Sequence, residues 1–121
     1  MLPRSARLTS KRDFQVIYAK GRSFVADLIV IHVLPRGGNR RRFGFSVSTK
    51  LGNAVVRNRV KRRLREAIRS CLGRMREGRD VVVVARVKCK EASLGRIQEA
   101  IERLLRKAGL RDEDVGSSEG R

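Results

Sequence analysis

A mixed α+β domain containing one β-α-β unit is the fold class this sequence predicts, and three stretches carry the prediction. Residues 42–48 alternate strictly, with Phe43, Phe45 and Val47 on one side and Arg42, Gly44, Ser46 and Ser48 on the other, as in a strand with one buried face. Residues 53–72 place Val56, Val60, Leu64, Ala67, Ile68 and Cys71 at steps of three and four, the apolar stripe of an amphipathic helix. The run DVVVVARVK at 80–88 is continuously apolar from Val81 to Ala85, which fits a strand buried on both faces after a helical crossover.

Taken in order, residues 1–10 read as a basic, irregular arm. A helix starts at Thr9 or Ser10, repeats Phe14, Ile17 and Tyr18 at helical spacing and ends at Gly21. Phe14 and Tyr18 share one face, either as core residues or as the wall of a groove. The run LIVIHVL, ended by Pro35, is rich in β-branched residues and predicts a strand. One of its faces carries Ile29, Ile31 and Val33; the other carries Leu28, Val30, His32 and Leu34. His32 is the only histidine, so a satisfied or groove-lining ring is favoured over a metal ligand or a base.

PRGGNRRR then reads as a hairpin loop whose Arg40 to Arg42 either solubilise an edge or touch phosphates. The small residues of the following strand leave room for something to lie beside Val30 and His32, or simply face solvent. After the central helix come a loop, GRMREGRD, the third strand, and a packing helix over Glu91 to Ala108 closed by Gly109. The acidic, polar end of the chain is expected to be disordered. The expected organisation is thus an arm at 1–10, a single domain at 11–109 and a tail at 110–121.

Charge points to the partner. Across 121 residues, 30 Lys and Arg oppose 12 Asp and Glu, a net charge of +18. That implies a polyanion, nucleic acid ahead of an acidic membrane. No apolar window spans a bilayer and the N-terminus lacks the apolar core of a signal peptide, so a cytoplasmic protein is expected. Cys71 and Cys89 fit no metal or redox spacing and read as small buried hydrophobes.

Between Arg57 and Arg69, seven of thirteen residues are basic and only Glu66 opposes them. Like charges one turn apart, as at 57/61 and 61/65, each cost about 0.2–0.5 kcal/mol in an isolated helix. Arg57 and Arg59 also stand near the N-terminus, where the helix dipole favours anions. A helix that breaks these rules, yet keeps a clean core stripe and an Asn53 cap, is shaped for a phosphate-bearing partner.

The string RFGFSVSTKLGNAVVRNRVKRRLREAIR, residues 42–69, resembles the signature region of the bacterial ribonuclease P protein subunit, whose hallmark is Arg-Asn-Arg, here Arg57, Asn58 and Arg59. KRDFQVIYAKGRS, the Leu-Pro after the first long strand and DVVVVAR extend the similarity over residues 11 to about 107. The resemblance implies an α-β-β-β-α-β-α two-layer sandwich with a four-stranded sheet, a short extra strand near Arg22 to Val25, and a left-handed crossover, against the general right-handed rule. It implies a non-catalytic protein subunit that pairs one-to-one with a catalytic RNA. With Mg2+ held mainly by RNA and substrate, that complex removes the 5′ leader of precursor tRNA.

By position, the resemblance assigns Lys50, Arg57, Asn58, Arg59, Lys61, Arg62 and Arg65 to the RNA subunit. It assigns Phe14, Tyr18, Val30, His32, Ser46, Ser48 and Arg86 to a cleft for the single-stranded leader, and it implies no catalytic or metal-ligating residue. This chain departs from the family's habit at Thr49, often basic, and at His32, often aromatic. A ribosomal RNA-binding protein would share the charge without needing an aromatic groove. A DNA reader would want a scaffold helix or a zipper beside the basic helix, where a strand and a loop stand instead.

Overall fold

The computed structural model describes residues 7–110. Its elements run α1 (Lys11–Lys20), β1 (Arg22–Val25), β2 (Ile29–Pro35), β3 (Arg41–Ser46), α2 (Ala54–Cys71), β4 (Arg79–Ala85) and α3 (Leu94–Lys107). The strands form one sheet in the order β1-β2-β4-β3. β4 is central, antiparallel to β2 and parallel to β3, so β3-α2-β4 is the expected β-α-β unit. The arrangement is an α+β sandwich with four strands and three helices.

Strand alternation divides the core in two. Ile29, Ile31, Val33, Phe43, Val81 and Val83 point to the face covered by α2 and α3, where they pack with Val60, Leu64, Ile68, Ile97, Ile101 and Leu105. On the opposite face, Ile17 of α1 packs with Leu8 and Val82, flanked by Phe14, Leu34 and Val84. Burying side chains of this size stabilises by about 1.5–3 kcal/mol each. Helix starts follow local chemistry: the side chains of Ser10, Asn53 and Ser93 accept from the backbone N–H groups of Asp13, Val56 and Arg96. Gly109, at φ +74°, follows α3 in the left-handed conformation.

Several expectations are corrected. PRGGNRRR is not a hairpin, because β4 lies between β2 and β3. Leu28 precedes β2 and is buried in the main core rather than lying with Val30 and His32. The strand expected over 80–88 stops at Ala85, and Val87–Glu91 forms a 3-10 helix. The last helix starts at Leu94, three residues later than expected, at the Ser93 cap.

The domain also reaches further than 11–109. The N–H of Leu8 donates to Phe43 O at 2.7 Å, and Leu110 is buried with its N–H on Leu105 O at 2.8 Å. The rest of the expected arm, residues 1–6, and the expected tail, 111–121, lie outside the described residues.

Candidate nucleic-acid interface

The basic helix is anchored before it is charged. Ser48 Oγ accepts from the Lys50 N–H at 3.1 Å, starting a 3-10 turn, Thr49–Leu51, whose Leu51 is buried. Gly52 follows at φ +145°, and a Cβ there would crowd Val56. Asn53 Oδ1 then caps α2 through the Val56 N–H at 3.0 Å. Lys50 and the first turn of α2 are therefore held by the same short corner.

The cations of α2 divide by what they touch. Asn58, Arg59 and Arg62 are exposed, while Arg57, Lys61 and Arg65 are half-buried. Arg57 Nε donates to Gly52 O at 3.2 Å, which fixes its stem across the corner. Arg65 stands over the Phe45 ring at 5.9 Å. Arg63 donates through Nη1 to Ala92 O at 3.0 Å and ties α2 to the segment before α3. Arg69 pairs with Glu66, and each guanidinium or carboxylate there favours its partner's charged form. Arg59, Lys61 and Arg62 have no acidic partner among the described residues.

Arg41 and Arg42 are both engaged within the fold. Arg41 Nε donates to Met75 O at 2.8 Å. Register sets Arg42 opposite Asp80, the one buried charged residue among those described, and the two form a bidentate pair at 3.0 and 2.7 Å. Asp13 of α1 approaches the same guanidinium at 3.8 Å. Arg40 alone of the three is exposed.

The second surface is built by register on the α1 face of the sheet. Gly44, Val82 and His32 form one row across β3, β4 and β2, and Ser46, Val84 and Val30 form the next. α1 covers the first row. Phe14 lies against Gly44, Ile17 against Val82, and Tyr18 meets His32 edge-on with ring centroids 4.9 Å apart. Phe14 and Tyr18 are themselves edge-to-face at 6.2 Å.

The second row stays half-open, a strip of small polar and aliphatic side chains beside an aromatic wall. Ser48 and Arg86 lie two residues beyond Ser46 and Val84 in the chain, outside the paired strands, and both are exposed. Arg86 Nη1 donates to Ala26 O at 2.9 Å, leaving its other donors available. Burial lowers the pKa of His32, so the ring is held neutral and presents its polar atoms without charge.

The two aromatics differ in burial. Tyr18 is 42% exposed, and Phe14 is partly buried at the border of the smaller core. Val84 was missed. It belongs to the strip because β4 alternates, a signal hidden by four consecutive valines. Cys71 and Cys89 are buried free thiols, and burial pushes Cys89 up to about 11. Among the described residues, no helix is long and apolar enough to cross a membrane, and no cluster of three His, Cys, Asp or Glu could hold a metal ion.

Comparison with known proteins matches this arrangement. The family model described as ribonuclease P matches residues 2–109. The ribonuclease P protein component of Symbiobacterium thermophilum is 43% identical over 110 residues, covering 90% of this chain and 96% of that one. That of Caldanaerobacter subterraneus is 41% identical over 113 residues, 93% of this chain and 97% of the relative. The RNase P protein of Staphylococcus aureus superposes with a TM-score of 0.78 at 34% identity, covering 87% of this chain and 96% of its own. The Thermotoga maritima protein gives 0.77 at 31%, over 84% and 96%. The chain belongs to the ribonuclease P protein family.

Proposed function

We propose that this chain is the protein subunit of a cytoplasmic ribonuclease P, pairing one-to-one with a catalytic RNA. It anchors to that RNA through α2 and the Lys50 corner. In the cleft it holds the unpaired 5′ leader of precursor tRNA during endonucleolytic release of the mature 5′ end. Hydrolysis belongs to the RNA subunit, with Mg2+ held mainly by RNA and substrate, as membership of the family implies.

The observation that carries the reading is the separation of two surfaces on one sheet. Arg59, Lys61 and Arg62 project from a rigid helix on one side, suited to phosphates in a folded RNA. The Ser46-Val84-Val30 strip beside Phe14, Tyr18 and His32 lies on the other, suited to bases that stack without strict sequence readout. A general RNA chaperone would need the first surface but not the second.

The test compares precursor tRNA with mature tRNA. Stacking on a ring contributes about 1–3 kcal/mol per base, so Phe14→Ala or Tyr18→Ala should weaken holoenzyme binding to precursor by roughly fivefold to a hundredfold. Mature tRNA, which has no leader, should bind as before. Equal weakening of both substrates would remove the leader from this cleft.

A further inference from the structure

At the outer edge of β3 the two surfaces meet in a hollow of about 270 Å³. Phe14 lines it from the α1 side, Phe45 from β3, and Lys61 and Arg65 from α2. The fourth wall is the segment before α1, where the Leu8 N–H bond to Phe43 O lays Arg7 along the strand. Three lining side chains are cations and none is acidic.

Two of those cations are incomplete. Arg7 Nε and Arg65 Nε are both buried and lack a hydrogen-bond partner. Away from the hollow, Arg41 bonds Met75 O, Arg42 bonds Asp80 and Arg63 bonds Ala92 O, and among the described residues Arg76 Nε is the one other buried side-chain donor left without a partner. Buried donors on charged groups are costly to leave unmade, and both of these belong to side chains that line one cavity. The group that suits two guanidinium forks and an ammonium around one hollow with no acid among them is an anion with several acceptor oxygens. Phe14 and Phe45 on the same walls add apolar surface, which suits the base or sugar attached to a phosphate better than a free hydrated ion.

We propose that this hollow binds one phosphate, with its nucleotide, of an RNA strand passing between the cleft and α2. Arg7 and Arg65 hold the phosphate oxygens, Lys61 adds charge, and Phe14 and Phe45 pack against the nucleotide. Arg7 thereby joins the interface from a segment that neither surface included. The proposal rests on the reading of the chain as an RNA-binding subunit. It leaves two sources for the phosphate: the leader or the RNA subunit.

Phosphate-ethylation interference on the full chain tests it and separates those sources. End-labelled RNA subunit is mixed with protein in one arm, and end-labelled precursor tRNA with assembled holoenzyme in the other. With the unmodified protein, ethylating the bound phosphate weakens binding. In Arg7→Gln and in Arg65→Gln, interference at that same phosphate disappears while the other positions persist, and each variant binds about tenfold more weakly. Arg7→Met and Arg65→Met, which keep the stem packing, replace any glutamine variant that unfolds. Arg103→Gln, on α3 and away from the hollow, erases nothing.

A shared phosphate in either RNA supports the proposal and names its source. Variants that erase different phosphates, or none, overturn it and leave the subunit reading standing. Failure of the unmodified protein to bind either RNA overturns both.

Discussion

The ring of Phe14 occupies the space that a Cβ on Gly44 would fill. α1 therefore settles onto β3 only because position 44 carries no side chain, and the height of the aromatic wall above the strip is set by that contact. Gly44→Ala should cost about 1–3 kcal/mol through overpacking. It should also lower affinity for precursor tRNA more than for mature tRNA, because Phe14 is the group displaced. Thermal melts and the two affinities check this together. An unchanged melting temperature would mean that Phe14 yields freely and does not set the cleft.

Asp80 is the second fixed point of α1. It is 3% exposed and sits between Arg42, bonded at 2.7 Å, and Arg36 at 3.5 Å. Arg42 passes the contact on to Asp13. Removing one partner of a buried pair strands the other charge, so Asp80→Ala should destabilise the fold by about 3 kcal/mol. Asp13→Ala, whose ion pair is more exposed, should change stability by less than about 1 kcal/mol. Denaturant titrations of the two variants give the comparison; equal losses would place the stabilising contact outside this network.

Arg59 and Arg63 stand four residues apart on α2 and should behave as opposites. Arg59 is exposed with no acidic partner among the described residues, whereas Arg63 bonds Ala92 O at 3.0 Å. Arg59→Ala should leave stability within about 0.5 kcal/mol and weaken association with the RNA subunit. It should also flatten the dependence of log affinity on log salt by about one unit, the share of one phosphate contact. Arg63→Ala should lose about 1 kcal/mol or more of stability, the usual worth of a hydrogen bond from a charged donor. A salt slope that falls for Arg63→Ala but not for Arg59→Ala would reverse the assignment.

What the sequence made legible follows the reach of local signals. The cap at Asn53, the stripe from Val60 to Cys71 and the alternation through Phe43 and Phe45 are set by neighbours within a turn or a strand, and each formed as expected. The resemblance supplied the cleft residues, and strand register shows why Val30, His32 and Ser46 belong together. What stayed hidden depends on partners far along the chain. Arg42 looked like surface charge because Asp80 is 38 residues away. Nothing local marks the role of Arg63, because its acceptor at Ala92 is 29 residues away. Val84 disappeared in a run of valines whose two faces differ only once α1 covers one row and not the next. Arg7 and Leu8 read as an arm because nothing local shows that β3 has a free edge to receive them.

His32 gives the fold a pH dependence whose sign is fixed by its surroundings. Tyr18 stands against its ring, Ser23 of β1 and Val82 of β4 flank it in register, and burial lowers its pKa from 6.5. Well above pH 6.5 the imidazole is neutral both folded and unfolded, and it contributes nothing to the balance. As pH falls through 6.5, the unfolded chain takes up the proton first while the folded ring resists it, so the unfolded state binds more protons and stability declines. The decline ends once pH passes below the folded pKa. His32→Gln removes the group without removing its polarity, so denaturant midpoints of the two proteins should converge as pH drops from about 7 toward 5, the native protein losing more. Carboxylates elsewhere titrate identically in both and cancel in the difference. Parallel curves would show that the ring is as hydrated in the cleft as in the unfolded chain, and that Tyr18 does not shield it.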